Sequence, residues 1–232
     1  MKLIERLQYI ADEINMGEKV ADIGTDHGFL PLYLLRTGKS PEVVMADVSA
    51  GSLAKAEENC KLFKAEGNYS LRLGSGLEVL EKGEVDVAVF AGMGGQLMRD
   101  LLAHDIEKTK SIKRFILQPR NKAGALRLWL LRNGMKIVKE GLVKEGRFIC
   151  EILTVETGYE ENQDLQWSPE IDYPDMLSEA DKELLKLYLG YKLDFENRIY
   201  AEMLNGNDVS EEKLAASRAK INQLLKMKEE TL

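Results

Sequence analysis

Asp22, Gly24, Thr25, Asp26, His27 and Gly28 fall within seven residues, directly after the apolar pair Val20-Ala21 and directly before the helix-like run Phe29 to Leu35. An apolar run, a glycine turn and an apolar helix describe the loop at which an open α/β sheet holds a nucleotide-like cofactor. Asp26 stands where the dinucleotide fingerprint needs its second glycine, the residue that lets the backbone close on a pyrophosphate. A carboxylate there repels a pyrophosphate and favours a cation. The loop therefore points away from NAD and toward S-adenosylmethionine (SAM), whose sulfonium and ammonium groups are positive. A plain strand-to-helix turn is the competing reading. If the cofactor binds here, Asp22, Gly24, Thr25 and His27 hold it.

Other loops carry matching chemistry. Asp47 ends a second apolar run, Glu42 to Asp47, 23 residues after Gly24. An acid there accepts hydrogen bonds from both ribose hydroxyls, or else caps the following helix. Val48 adjoins it. Gly74-Ser75-Gly76 closes a third candidate strand, Tyr69 to Leu73, and places Ser75 and Gly76 beside an adenine; a simple glycine turn fits equally. The continuous apolar run Asp86 to Phe90 leads into Ala91-Gly92-Met93-Gly94-Gly95. Glycines there admit a flat ligand close to the backbone and leave free amides at a helix start. Ala91, Gly92 and Met93 are assigned to the cofactor and Gly94 to the reacting face. Gln118-Pro119 adds a side-chain amide suited to two-sided pairing with a base. Asp26 and His27 are the candidate catalytic side chains. Asp26 either offsets positive charge growing on an acceptor or holds the sulfonium, and His27 either orients Asp26 or lines the cofactor pocket. A purely structural histidine is the alternative.

The elements that must position these residues alternate. After an amphipathic helix in residues 1–17, strands at Val20, Glu42, Tyr69, Asp86 and Arg114 alternate with helices over Phe29 to Leu35, Ser49 to Lys64, Gln96 to Ala103 and Ala123 to Asn133, with one helical turn at Leu77 to Leu80. Met135 to Lys139 and Phe148 to Val155 read as a final antiparallel pair. Such alternation implies right-handed crossovers and a mostly parallel seven-stranded, Rossmann-like sheet covered on both faces, α/β in class. Glu156 to Asp175 holds seven acids, two prolines and no Lys or Arg, the composition of a linker or capping loop. Beyond it, Ser178 is placed to cap a helix with the stripe Leu184, Leu187, Tyr188, Tyr191, Phe195, Ile199 and Met203. Asn205-Gly206-Asn207-Asp208 breaks it. Ser210 then caps a second helix with Leu214, Ile221, Leu224 and Leu225 on one side. The expected organisation is residues 1–160 as the cofactor-binding domain, 161–177 as linker and 178–232 as an antiparallel, coiled-coil-like helical hairpin.

The net charge of −7 hides a segregation. Lys108 to Arg147 contains twelve basic residues, among them Arg120, Lys122, Arg127 and Arg132, against Glu140 and Glu145, so this stretch carries +10 and the remainder −17. A local positive field of that size holds phosphates; ordinary solvated lysines are the alternative. Cys60 and Cys150 are too few and too far apart for a disulfide or metal framework, so no metal is expected. No apolar stretch approaches the roughly 20 residues of a membrane span, and the first residues lack a signal-peptide pattern. A cytoplasmic protein is expected.

Asp-Ile-Gly-Thr-Asp-His-Gly-Phe-Leu-Pro from Asp22, Phe-Ala-Gly-Met-Gly-Gly from Phe90, and Leu-Gln-Pro from Leu117 followed by Leu126-Arg127-Leu128-Trp129-Leu130 together resemble the bacterial tRNA (adenine-22)-N1-methyltransferases, the TrmK family. The resemblance runs by motif over residues 1–155, and the C-terminal helices look like that family's helical extension. It implies a class I SAM-dependent methyltransferase fold and methyl transfer to N1 of an adenine in the D-arm of tRNA. Gln118, Pro119, Arg120, Lys122, Arg127 and Arg132 are then the expected substrate-binding residues, tRNA the partner and a monomer the expected state. Two alternatives stay open: a methyltransferase of this fold acting on a small molecule or protein, and an RNA-binding module without catalysis.

Overall fold

The computed structural model describes residues 1–65, 67–206 and 209–231. Its elements are α1 (Glu5–Asp12), β1 (Val20–Ile23), α2 (Phe29–Arg36), β2 (Glu42–Asp47), α3 (Ala50–Leu62), β3 (Asn68–Leu73), a 3₁₀ turn (Gly76–Val79), β4 (Val87–Met93), α4 (Gly95–His104), α5 (Ile106–Ser111), β5 (Arg114–Pro119), α6 (Ala123–Arg132), β6 (Met135–Glu145), β7 (Phe148–Thr157), α7 (Pro169–Asp172), a 3₁₀ turn (Asp175–Glu179), α8 (Lys182–Asn205) and α9 (Glu211–Thr231). The strands form one seven-stranded sheet in the order β3-β2-β1-β4-β5-β7-β6. β1 to β5 run parallel, and β7 enters antiparallel between β5 and β6.

The central strands read as unbroken apolar runs because both faces are covered. Alternate residues go to opposite sides: Val43 and Met45 pack with Ile10, Leu30 and Leu34 on the face of α1 and α2, while Val44 and Ala46 pack with Phe90, Met98 and Leu102 on the face of α4. Each fully buried Leu, Ile or Phe contributes about 1.5–3 kcal/mol relative to exposure. The N-terminal helix, shorter than the 1–17 expected, is set by this burial: Ile10 and Ala11 within it and Leu3 and Ile14 just beyond its ends are all buried.

Three further expectations change. β4 runs three residues past Phe90, through a bulge between Ala91 and Met93, so the glycine stretch begins inside the sheet. β6 extends to Glu145, not Lys139. On α8 the buried side chains are Leu185, Tyr188, Leu189 and Leu193, whereas Leu187, Tyr191 and Phe195 lie exposed. The helix seats on Leu142 of β6 and on Tyr173 and Leu177. Its inward face is thus the leucine row spaced by four together with Tyr188 of the expected stripe, while Tyr191 and Phe195 face outward. Asp181 caps α8 by accepting from the Leu184 amide at 3.0 Å; the side chain of Ser178 lies outside the described residues, as do Asn207 and Asp208 of the expected breaker. Among the described residues no helix is long and apolar enough to cross a membrane.

Candidate active site

The strand order reverses between β1 and β4, and the loops leaving β1, β2, β4 and β5 meet at that edge. Gly24 makes the approach possible. Its φ of 79° suits only glycine, its amide donates to Ala46 O at 2.8 Å, and a Cβ would strike the Met93 ε-methyl. Thr25 N donates to the same carbonyl at 3.0 Å. The loop therefore lies across the ends of β2 and β4, bringing Gly24, Thr25, Asp47 and Met93 together.

Asp22 is buried beneath this loop and accepts from Thr25 Oγ1 at 2.8 Å. Burial pushes its carboxyl up to about 6, against the Thr25 hydrogen bond and the positive charge of Arg6. Asp26 holds a left-handed φ of 47°, which aspartate tolerates better than most residues, and its side chain is 62% exposed. His27 Nε2 lies 3.6 Å from Asp26 Oδ2, and its ring stacks on Phe29 with centroids 5.5 Å apart. The helix-cap alternative for Asp47 falls away, because Ser49 caps α3 by accepting from Ser52 N at 3.2 Å. Asp47 instead accepts from the amides of Ser49 at 2.8 Å and Asp26 at 3.3 Å. Val48 beside it is 71% exposed, an apolar surface ready to be covered. Ser75 and Gly76 start the 3₁₀ turn after β3, where Glu78 bonds back to the Ser75 amide.

The β4 and β5 loops are locked to each other. Arg120 N donates to Met93 O at 2.8 Å and Gly95 N to Asn121 O at 3.0 Å. A Cβ on Gly95 would lie 2.7 Å from Lys122 O, so the two backbones touch where a side chain would hold them apart. Gly94 is the N-cap of α4, and Asn121, which the sequence reading passed over, stands against it. Behind Gly92 opens a cavity of about 430 Å³ between β5 and the β6–β7 turn. Gln118 and Pro119 line it, but Gln118 is 2% exposed and engaged at both ends: its oxygen accepts from Arg6 at 3.3 Å and its nitrogen donates to Pro119 O at 3.2 Å. It fixes a wall and is not free for two-sided base pairing. Arg6 also pairs with Glu145. Arg120 lines it too, and Arg6, Glu145, Phe148, Ile149 and Cys150 complete the lining; these five were not among the expected site residues. A polar Arg6 among Leu3, Leu7 and Ile10 was the available signal.

A model of the methyltransferase domain matches residues 3–153. The chain is 34% identical to the tRNA (adenine(22)-N(1))-methyltransferase of Bacillus subtilis over 158 residues, which are 68% of this chain and 66% of that enzyme, just under two thirds of its length. Its fold is similar to the crystal structure of the B. subtilis m1A22 tRNA methyltransferase TrmK, with a TM-score of 0.74 and 27% identity over 99% of this chain and 97% of that one. It is also similar to TrmK of M. capricolum in complex with S-adenosyl-homocysteine, with a TM-score of 0.78 and 25% identity over 99% of both chains. The chain belongs to the TrmK-like methyltransferase family.

In this TrmK-like chain the expected phosphate-binding residues divide. Arg120 and Lys122 are exposed beside the cavity and at the start of α6. Arg127 is not at the surface: it is 1% exposed and ion-paired with Glu140 and Glu151, at 2.6 and 2.7 Å. Burial opposes its charge, but the two carboxylates outweigh burial and raise its pKa. Glu151, flanked also by Lys192 at 2.8 Å, is held down at about 2 despite its burial. Arg132 sits at the far end of α6, about 15 Å along the helix from Lys122, and donates to Leu165 O at 2.7 and 2.9 Å. Neither reaches the site edge. Lys110, Lys113, Arg114 and Lys139 pair with Glu161, Asp86, Glu18 and Glu13. With Glu151 on Arg127, five acids from elsewhere in the chain thus answer about half of the +10. Exposed Arg120, Lys122, Lys144 and Arg147, which have no ion pair among the described residues, retain their charge near the cavity end of the sheet.

Proposed function

We propose that this chain transfers the methyl group of SAM to N1 of adenine 22 in the D-arm of tRNA. The observation that carries the reading is the juxtaposition of two half-sites at one strand edge. On one side are the acids Asp22, Asp26 and Asp47 around Gly24; on the other, behind Gly92, is a cavity large enough for a base. The B. subtilis relative, named for this reaction, supports the acceptor.

The residues fit SAM. Gly24 leaves a cradle that a Cβ would fill, Asp47 holds a half-buried carboxylate between two loops with one amide on each oxygen and lone pairs to spare, and Val48 offers an uncovered apolar face. Asp47 would bind the ribose hydroxyls, Val48 with Ser75 and Gly76 the adenine, and Asp22, Thr25 and His27 the methionine end, with Ala91, Gly92 and Met93 beneath. When bound, the cofactor supplies an electrophilic methyl carbon, to which the N1 lone pair adds as the carbon–sulfur bond breaks and its electrons pass to sulfur. N1 needs no prior deprotonation, so the protein's task is alignment at roughly 3–3.5 Å. The product ring is cationic, and Asp26, exposed and held in a fixed left-handed turn, stabilises that charge as it grows. His27 orients Asp26 from 3.6 Å. Gly94 leaves room at the reacting face. Because N1 lies on the pairing edge, the adenine must leave its stack, while Arg120 and Lys122 hold the backbone. The same reading takes a monomer in the cytoplasm as the acting form.

Incubation with labelled SAM and two tRNA transcripts, carrying adenine or guanine at position 22, tests the reading. Label in the first alone, with a reverse-transcription stop at that nucleotide, is expected. Absence of label with SAM still bound would overturn the tRNA assignment.

A further inference from the structure

The turn between β6 and β7 places an aromatic ring at the mouth of the cavity behind Gly92. Phe148 is 61% exposed, although it lines a cavity whose inner wall is the buried Gln118. The Arg147 guanidinium lies over the Phe148 ring at 5.0 Å, covering one face. Phe148 pairs with Glu145 and Cys150 with Val143, so Phe148 and Cys150 share one face of β7. Glu145 is held by Arg6, which also donates to Gln118; one guanidinium thus ties α1, β5 and the end of β6 around the opening. Phe29, another exposed aromatic at this edge of the sheet, is already stacked on His27.

A base drawn out of an RNA stack needs a replacement π surface, and cation-backed aromatic rings supply one. We infer that Phe148 is the stacking surface for the target base, with Arg147 on one face of its ring and the base on the other, and that the Arg6–Glu145 pair fixes that ring's position over Gly92. This rests on the methyl-transfer reading above. The assignment makes Phe148 a residue that positions the acceptor and leaves cofactor binding to the other half-site.

Two measurements test it. In the first, Phe148→Leu and Phe148→Trp are compared with wild type for tRNA methylation and for SAM affinity. Phe148→Leu is expected to lower kcat/KM for tRNA about 10- to 100-fold, the worth of one base stack, with SAM affinity unchanged and Phe148→Trp restoring activity. Wild-type kinetics in the leucine variant, or failure of tryptophan to rescue, overturns the inference. The second needs no turnover. Cys60 is buried and Cys150 only half-buried, so a maleimide applied near neutral pH reports on Cys150. Transcript with adenine at position 22 should slow this labelling more than the same transcript abasic there. Equal labelling overturns the base pocket. If wild-type protein methylates no tRNA yet shows base-dependent protection, the reaction assignment fails and the pocket stands.

Discussion

The main-chain amide of Asp26 donates to Asp47 Oδ2 at 3.3 Å. The acid nearest the proposed chemistry thus takes its position from the acid proposed to hold the ribose, and Asp47 spends its other oxygen on the Ser49 amide. Binding and positioning share one carboxylate. Asp47→Ala should therefore weaken SAM binding about 10-fold or more, the order expected when a hydrogen-bonded charge is lost, and also lower kcat at saturating SAM. Isothermal titration and initial rates measured on the same preparation separate the two effects; an unchanged kcat would show that Asp26 keeps its place alone.

Asp26→Asn preserves a residue that accepts the left-handed φ of 47° and removes only the charge. SAM affinity should stay within about 3-fold, while kcat falls about 100-fold or more if the carboxylate stabilises the cationic product. Single-turnover assays read the chemical step directly. Wild-type turnover would remove Asp26 from the reaction.

Asp22 titrates near 6, chiefly because it is buried. Its folded-state pKa lies above the ordinary 3.8, so its contribution favours the folded ligand-free protein below about pH 4 and is lost as pH rises through 6. A bound cation favours the ionised form, reversing the preference. SAM affinity should then rise up to about 10-fold per pH unit below 6 and level off above it, with a proton released on binding below and near pH 6. Calorimetry in two buffers of different ionisation enthalpy measures that release; none would mean that Asp22 stays protonated beside the ligand.

Arg127 and Arg120 should behave oppositely when replaced. Arg127→Met leaves Glu140 and Glu151 buried with only Lys192 to answer them, and should cost about 3–5 kcal/mol of stability. Arg120→Ala and Lys122→Gln should leave thermal unfolding nearly unchanged and each reduce the slope of log K for tRNA against log salt by about one. Denaturant melts and filter binding at several salt concentrations distinguish them. A full salt slope in both surface variants would move the RNA contacts elsewhere.

The sheet and its cofactor loops were legible in the chain because each βα unit announces itself locally, as an apolar run ended by Gly24, by Asp47 or by Gly92. What was not legible depended on partners distant in sequence. Lys139-Glu140-Gly141 interrupts an apolar pattern, yet β6 continues because Arg127 neutralises Glu140 inside the fold. A register shift between Ile137 and Lys139 also defeats a period-two count. With β6 cut short, the turn at Gly146 and its aromatic Phe148 had no visible place at the site. Arg127 looked like a phosphate ligand for the same reason, since sequence shows a charge but not the two carboxylates that enclose it. On α8, Leu185, Leu189 and Leu193 compete with Leu187, Tyr191 and Phe195 as helical rows, and only the position of Leu142 decides between them.

The charge compensation also has an order in time. Glu13, Glu18 and Asp86 precede Lys139, Arg114 and Lys113, the cations they pair with, by 27 to 126 positions. A chain synthesised from its N-terminus therefore makes these acids before the bases. When the basic stretch leaves the ribosome, surrounded by ribosomal RNA, these three counter-charges already exist in the same molecule, while Glu151 and Glu161 follow it. The nascent protein thus carries part of its own competitor for nucleic acid, and the unpaired cations that remain include those at the cavity edge.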